Sequence, residues 1–196
     1  FVVSIYCNNF TNKLYIDMPD KSRENYLRVT HMLYPFSGLE KIDADVVAYA
    51  AERGTRVHKI CEGIIAGLGE HGVDDETWGY VESFKKWWGE GRDVVCMEQR
   101  FWDDELCITG QVDLIIRSEE GLVIVDIKTS SRPSKTWNVQ GSAYAYLANR
   151  SGYEVKKVYF VHLNKHGKEP RIYEYPIDES FFLAVLKIYQ YFFHKD

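Results

Sequence analysis

The sequence predicts a mixed α/β protein in which helices cover both sides of a central sheet. Residues 109–130 carry the clearest signal, because two apolar strands flank a polar turn at 118–121. Helices predicted at 45–68 and 75–88 precede these strands, and a helix predicted at 134–149 follows them, with further strands and a last helix behind it. Asp43 or Asp45 is the predicted cap of the first of these helices, Trp78 is expected to pack on the second, and Ser134 is the predicted cap of the third. This order of elements favours one sheet between two helical layers.

The composition is that of an ordinary globular protein, with 45% hydrophobic and 27% charged residues among 196. This length predicts one domain spanning residues 1–196. The net charge of −5 argues against broad non-specific binding of nucleic acid, but it is compatible with a local basic groove. No stretch approaches the roughly 18 apolar residues of a membrane span, so we expect no membrane partner and a cytoplasmic location. A targeting segment ahead of Phe1 is left open.

The remaining elements are predicted from shorter patterns. Residues 1–16 offer two short strands as a hairpin around Asn8 and Asn9, and residues 30–34 one helical turn with Thr30 as its N-cap. The last helix, at 179–193, is apolar nearly all round, so we expect the sheet to cover it well. Three more strands are predicted at 94–102, 155–163 and 170–175.

The four cysteines, Cys7, Cys61, Cys96 and Cys107, are scattered and form no CxxC pair. This spacing supports neither a zinc site nor a disulfide framework. We therefore expect reduced thiols.

The hairpin at 109–130 has two chemically different faces. Folding it symmetrically about the turn pairs Ile115 with Ile124 and places Asp113 across from Asp126, with Lys128 on the same face. The same register sets Gln111 across from Lys128. The other face is wholly apolar and consists of Val112, Leu114, Ile116, Val123, Val125 and Ile127.

Two opposed carboxylates at the end of an apolar hairpin indicate a cation site. Like charges directly opposite destabilise a strand pair, and the side chains of Asp113 and Asp126 would begin roughly 5 Å apart. A hard divalent ion such as Mg²⁺ or Mn²⁺ removes the conflict. Lys128 can hold a water or a charged oxygen beside it. The alternative is a solvated surface hairpin, which is disfavoured because Asp126 interrupts the apolar run at 122–127.

Two of the predicted helices carry polar pairs beside their buried stripes. On the helix at 45–68, His58 and Glu62 are one turn apart, next to a stripe formed by Val57, Ile60, Ile64 and Ile65. On the helix at 134–149, Gln140 and Tyr144 have the same spacing. A histidine on a helix is more often structural than a ligand, so these pairs alone do not define a site.

Five short motifs occur in one order along the chain: GTRVH at 54–58 with Glu62, then Glu98, GQVD at 110–113, DIKT at 126–129 and QGSAY at 140–144. This series resembles the RecB-like branch of the PD-(D/E)XK nuclease superfamily, and its layout is similar to that of mitochondrial genome maintenance exonucleases and small phage exonucleases. The resemblance covers roughly residues 54–163, within a motif-bearing core of about 45–163. It implies a restriction-endonuclease-like fold, with a mixed central sheet flanked by helices on both sides.

The resemblance also implies roles for individual residues. Asp113 and Asp126 would ligate one or two Mg²⁺ or Mn²⁺ ions, together with the backbone carbonyl of Ile127, and His58 would complete the site. Lys128 would activate the attacking water and stabilise charge on the phosphate. The iron–sulfur subgroup of the family adds a cysteine cluster that this sequence lacks, so no such cluster is expected.

Other residues of these motifs are assigned to the substrate or to supporting contacts. Gln140, as a further catalytic residue, and Tyr144 would contact the DNA strand near the cut, although a helix-surface amide and a half-buried phenol fit the pattern too. Glu98 is interpreted either as a supporting carboxylate or as a solvated edge residue. Glu62 would bond near His58 or pair with a neighbouring cation. The cations near the motif ends, Arg53, Arg56, Arg132 and Lys135, would position phosphates unless they form a solvated face.

The function predicted from these motifs is a metal-dependent deoxyribonuclease in DNA recombination, repair or replication. A sequence-independent exonuclease acting on DNA ends or single strands is favoured over a site-specific endonuclease. The alternatives are a degenerate nuclease fold that only binds DNA or a protein, and a hydrolase of small phosphoesters. The lysine beside Asp126 disfavours the last of these.

Overall fold

The computed structural model describes residues 23–193 and the backbone of two earlier strands. These strands, β1 (Ile5–Asn8) and β2 (Lys13–Ile16), pair antiparallel, with Asn8 opposite Lys13. The hairpin predicted for this part of the chain is therefore confirmed, although Asn9 lies outside the described residues. That residues 1–196 form a single domain stays a prediction.

Within the described residues a second sheet has six strands. They are β3 (Leu27–Arg28), β4 (Val94–Asp103), β5 (Ile108–Ser118), β6 (Gly121–Lys128), β7 (Val155–His162) and β8 (Arg171–Tyr175). β4, β5, β6, β7 and β8 lie side by side, and β3 also borders β5. β3 runs parallel to β5 and β6 parallel to β7, whereas the other pairs are antiparallel. The sheet is mixed, as predicted.

Five helices cover the two sides of this sheet in the described part of the chain. They are α1 (Val29–Ser37), α2 (Ala44–Ile65), α3 (Trp78–Trp88), α4 (Thr136–Arg150) and α5 (Glu179–Phe193). Buried residues of α2 and α3 form one apolar cluster with the sheet, and those of α1, α4 and α5 form another. The prediction of helices on both sides is confirmed.

Capping determines where two of the helices begin. The side chain of Asp43 accepts hydrogen bonds from the backbone N–H groups of Asp45 and Val46, so α2 starts one residue after this cap. Ser134, the predicted cap of α4, accepts the N–H of Thr136 through its hydroxyl group. This hydrogen bond closes a turn that precedes the helix, and α4 therefore begins two residues later than predicted.

The β5–β6 hairpin forms the centre of both apolar clusters. Ile115 and Ile124 pack on the α4 side of the sheet, and Leu114 packs on the α2 side. Val112 belongs to the α4 side as well, so its predicted place on one face with Leu114 is wrong. The neighbouring strand explains the change of face, since Glu98 on β4 has a φ of 51° and interrupts the regular pleat beside Asp113.

Three predictions about the helices need correction. α1 spans nine residues with Arg28 at its N-cap and Pro35 inside, instead of one turn capped by Thr30. Trp78 was predicted to pack but is 54% exposed, because the turn at residues 74–77 delays the start of α3 and leaves this ring at the helix end. α5 is also less covered than expected.

Only one face of α5 is buried, through Phe182, Leu186 and Tyr189. Tyr191 is 83% exposed and Phe192 69% exposed. The many apolar residues of α5 therefore do not mean that the whole helix is buried, since one apolar stripe is enough for it to pack against α4. None of the described helices combines the length and apolarity needed to cross a bilayer.

Candidate active site

Strands β5 and β6 separate next to the two aspartates. Their backbone pairing follows the predicted register from Ser118 opposite Gly121 as far as Leu114 opposite Val125. Along the same edge of β5, the short strand β3 then takes over, with Leu27 opposite Ile108. Asp113 and Asp126 thus lie at a fork in the sheet, where the layers on its two sides meet.

Asp113 is fixed in this fork by two contacts. Its Oδ2 accepts the backbone N–H of Ile127 at 2.7 Å, and its Oδ1 lies 3.4 Å from Nδ1 of His58 on α2. A backbone N–H without a strand partner must find another acceptor, and the carboxylate provides it. The N–H of Ile127 is therefore engaged, whereas the prediction concerned its carbonyl group.

A third potential ligand joins this pair from β4. The ligand atoms of His58, Glu98 and Asp113 all lie within 4.8 Å of one another. Gln111 donates a hydrogen bond of 2.6 Å to Oε2 of Glu98 and thereby orients it; it also accepts from Arg100, so it does not face Lys128 as predicted. Glu98 lies next to Asp113 because of the register in which β4 pairs with β5. No sequence pattern predicts that register.

Asp126 turns away from this group and towards α4. Its side chain is almost fully buried, with Oδ2 2.6 Å from the Lys128 ammonium and Oδ1 accepting a bond of 3.1 Å from Gln140. The predicted pair of unshielded, directly opposed carboxylates is therefore not observed, because each carboxylate has its own partner. The Lys128 ammonium is thus the partner of Oδ2, and Gln140 is the partner of Oδ1.

Gln140 links the side chains on the α4 side of the fork. Its Oε1 accepts from Nζ of Lys128 at 3.1 Å, and its Nε2 also donates to the Tyr144 hydroxyl at 3.0 Å. Both Gln140 and Tyr144 are buried. The Tyr144 ring approaches β5 at Gly110, where a Cβ would lie 2.9 Å from the ring. The predicted spacing of one helical turn thus places both residues at the site.

Burial and mutual charge shift the pKa values of these groups. Burial lowers the pKa of His58, but the charge and hydrogen bond of Asp113 outweigh it and raise that pKa to about 9. Burial opposes ionisation of Asp113, yet the His58 cation and the N–H of Ile127 hold its pKa below the usual value. Burial raises the pKa of Glu98 to about 7 and that of Asp126 to about 6. A cation bound here would replace the imidazole proton.

The predicted supporting residues are placed less uniformly. Glu62 is half-buried one turn after His58, and burial raises its pKa. Arg56 pairs with Asp74 and Glu76 at the surface, so its guanidinium group is engaged away from the fork. The Arg53 guanidinium donates to the carbonyl of Thr129 at 3.3 Å. Two further cations, Arg132 and Lys135, are exposed in the loop between β6 and α4.

A cleft of about 220 Å³ opens beside Glu98 and Asp113. Its other walls come from the start of α1, from β4, from β5 and from the ring of Tyr144. Arg28 and Thr30 contribute to it, although neither was predicted from the sequence to lie at the site. They reach the cleft because β3, which is only two residues long, joins the edge of β5 that β6 has left.

The donor set of the fork fits a divalent cation. It combines carboxylate oxygens, which suit Mg²⁺ and Mn²⁺, with one imidazole nitrogen, which suits a transition metal. Asp126 adds a buried carboxylate, whose Oδ2 lies 2.6 Å from the Lys128 ammonium. His58, Glu98 and Asp113, supplemented by Asp126, are therefore the residues that could hold the ion.

A family model of the PD-(D/E)XK nuclease superfamily matches residues 76–190, which is more than half of the chain. The chain belongs to this superfamily. The match includes Glu98, Asp113, Asp126, Lys128 and the α4 residues of the fork, but it begins after α2. The family model therefore does not cover His58, whose assignment rests on the motif at residues 54–58 and on the geometry. Members of the superfamily generally use divalent metal ions.

Two solved structures have the same fold. The protein SSO0001 is 17% identical with a TM-score of 0.52, over 88% of this chain and 78% of its own. An exonuclease-like protein of Eubacterium rectale is 12% identical with a TM-score of 0.51, over 88% of this chain and 80% of its own. A search of curated proteins gave no significant match. The predicted restriction-endonuclease-like fold is confirmed, and fold and family together support a nuclease.

Proposed function

We propose that this protein is a divalent-metal-dependent deoxyribonuclease that hydrolyses phosphodiester bonds at DNA ends or in single strands. The observation that carries the proposal is the convergence of three ligand atoms, from His58, Glu98 and Asp113, within 4.8 Å. Next to this group, Lys128 lies between Asp126 and Gln140. Acids, an imidazole and a cation thus meet in one fork, beside an open cleft.

The ion would be held by His58, Glu98 and Asp113. Asp126 and the carbonyl of Ile127 are the additional ligands predicted from the sequence. We propose Mg²⁺ or Mn²⁺, as one or two ions. The imidazole of His58 favours Mn²⁺, since Mg²⁺ takes oxygen ligands almost exclusively.

The side chains beside the ion have distinct tasks. Bound divalent metal lowers the pKa of a coordinated water and offsets charge on the phosphate. The Lys128 ammonium orients the attacking water and stabilises the negative charge that develops on the phosphate oxygens. Gln140 keeps this ammonium in place through its Oε1, and its Nε2 orients Asp126. Tyr144 lines the cleft where the strand would lie.

The finer assignment is an exonuclease of the RecB-like branch that acts without sequence preference in DNA recombination, repair or replication. Its support is the order of the five motifs in the sequence, together with the exonuclease-like description of the Eubacterium rectale neighbour. The net charge of −5 fits an enzyme that binds DNA through a local basic site better than a protein that binds DNA non-specifically over much of its surface.

The test is digestion of two DNA substrates in the presence of Mn²⁺ or Mg²⁺. A linear duplex labelled separately at each end should lose one label first and release nucleotides or short fragments, whereas a covalently closed circle should survive. Lys128→Ala protein purified in parallel controls for contaminating nucleases. Nicking of the circle, or a pattern of discrete bands, would contradict the exonuclease assignment. Binding of DNA with no cleavage under either metal would favour the degenerate alternative.

A further inference from the structure

Three polar residues lie side by side where strands β6, β7 and β8 meet at one end of the sheet. Lys128 is the register partner of His162 on β7, and His162 is the partner of Arg171 on β8. Since neighbouring strands are about 4.8 Å apart, Arg171 lies roughly 10 Å from Lys128 across the sheet. This distance is about three nucleotides at the B-form rise of 3.4 Å per nucleotide. We call these three residues the basic rung.

The side chains of the basic rung lie on the α4 side of the sheet. The ring of Trp137, on α4, has its centroid 5.9 Å from the Lys128 ammonium and 5.5 Å from the His162 ring. The Tyr173 ring lies 5.7 Å from Trp137 on the same side. Arg171 precedes Tyr173 by two residues on β8 and therefore projects to the same face. The rung leads from the candidate active site to the edge strand.

The loop between β6 and α4 runs beside the basic rung. The backbone carbonyl of Ser130 lies 2.6 Å from Nε2 of His162, and the Ser130 hydroxyl donates to the carbonyl of Arg132 at 2.9 Å. These two contacts hold the loop against His162. Arg132 is thereby kept close to the rung, with its side chain exposed.

Apart from Lys128, which pairs with Asp126, the cations of this region have few acids near them in the sequence. Within the described residues, Arg132 and Arg171 make no ion pair and no side-chain hydrogen bond, whereas Arg117 and Arg150 are each paired with carboxylates. Segments 128–135 and 162–171 contain one acid, Glu169, in a chain of net charge −5. Their lysines and arginines are Lys128, Lys135, Lys165, Lys168, Arg132 and Arg171. An excess of cations confined to one end of the sheet indicates an anionic partner.

We propose that the basic rung, with Arg132 and Tyr173, binds a single strand of nucleic acid beyond the cleavage position. Arg171 and Arg132 contact the phosphates, and an unpaired base packs on the half-exposed rings of His162 and Tyr173. The aromatic surface decides for a single strand, because a ring can stack only on a base that is free of its duplex neighbours. The inference rests on the proposed nuclease function and deepens it by naming the form of the substrate.

The experiment measures binding without cleavage. Fluorescence anisotropy with a labelled mixed-sequence DNA single strand, in EDTA and over a series of salt concentrations, gives the Kd and its salt dependence. The double variant Arg132→Gln/Arg171→Gln should bind several-fold more weakly, and the slope of log K against log salt should fall by about 0.7 for each arginine. Tyr173→Leu should weaken binding while leaving this slope unchanged, because stacking releases no counterions.

The control is Arg117→Gln, which removes one positive charge from a strand at the opposite end of the sheet. Arg117 pairs with Asp93 there. It should leave both the Kd and the salt slope as in the parent, and melting curves should show all variants folded. Three results would each contradict the proposed single-strand site. They are a loss of affinity in Arg117→Gln equal to that of the double variant, unchanged binding by the double variant, and a loss of duplex binding as large as the loss of single-strand binding. The DNA digestion assay reports on the proposed nuclease separately, so the two ideas can fail independently.

Discussion

The two ends of the β5–β6 hairpin are built from the same strands but differ in backbone pairing and in the polarity of their side chains. Near the turn, Ile115 and Ile124 are register partners, and both are fully buried between two helical layers. At the other end the backbone pairing stops, Asp113 bonds across to the N–H of Ile127, and Asp126 faces α4. One end therefore supplies stability, and the other supplies groups that can bind a cation.

The difference shows how a sheet creates a polar site without leaving its backbone unsatisfied. At the paired end the ladder uses each backbone group, so apolar side chains can fill both faces. At the fork the N–H of Ile127 bonds to the Asp113 carboxylate, and Asp126 is held by Lys128 and Gln140. Where two strands separate, a backbone N–H loses its partner in the neighbouring strand. A carboxylate that accepts this N–H is thereby held in a fixed position.

The largest expected effect is on stability, from a change at the paired end. Ile115→Ala removes a fully buried side chain on the α4 side and should lower the free energy of unfolding by about 2–5 kcal/mol. The fork is not touched, so the cleavage rate per folded molecule should stay near that of the parent. Urea unfolding measures the first quantity and single-turnover digestion the second. A loss of activity in fully folded protein would break the comparison.

The second effect is on catalysis, from a change at the fork. Lys128→Ala should lower the single-turnover cleavage rate by about 10²–10³-fold, because a cation aimed at the phosphate is lost. Affinity for Mn²⁺ should be unchanged or higher, since the ammonium repels the metal.

Lys128→Met is the matched control, as it keeps the stem over Trp137 and Phe160 without the charge. Both variants should be equally inactive. If Lys128→Met retains activity, the packing of the side chain matters more than its charge.

The sequence was sufficient to predict the paired end of the hairpin. Alternation of apolar residues and a polar turn determined the register that pairs Ile115 with Ile124 and Arg117 with Leu122. Asp43, one of the two predicted caps of α2, and the bounds of α5 were predicted for similar local reasons. Local sequence patterns are sufficient to predict a turn, a helix cap or a strand register that depends only on residues close together in the chain.

The fork could not be predicted in the same way, because distant segments produce it. Extending the register placed Asp113 directly opposite Asp126, but β6 leaves β5 after Leu114, and the two-residue strand β3 pairs with the same edge further along, at Ile108 and Thr109. No periodicity detects a strand of two residues. Glu98 reaches the site through the pairing of β4 with β5 and a positive φ, and Arg28 reaches the cleft through β3.

The third effect separates the two tasks assigned to Asp113. Asp113→Ala removes the acceptor for the N–H of Ile127 and should lower stability by about 1–3 kcal/mol. Asp113→Asn retains an oxygen for this bond and should lose less. Both variants should lose the stabilisation by Mn²⁺. Melting curves of parent and variants, with and without Mn²⁺, test the distinction, and equal losses in the two metal-free variants would show that the bond to Ile127 contributes little.

The smallest effect concerns Glu98, the ligand that joins the fork from β4. Removing one of several ligands by Glu98→Gln should weaken Mn²⁺ binding about 10-fold, or about 1.4 kcal/mol. At a Mn²⁺ concentration of about 100 times the parent's Kd, the parent gains about 2.7 kcal/mol of stability and the variant about half of that. Thermal melts over a Mn²⁺ titration measure both gains. Glu90→Gln, on an exposed residue beyond α3, is the control and should behave as the parent. If Glu98→Gln gains as much as Glu90→Gln, Glu98 is not a ligand and the fork binds its metal through His58 and the aspartates alone.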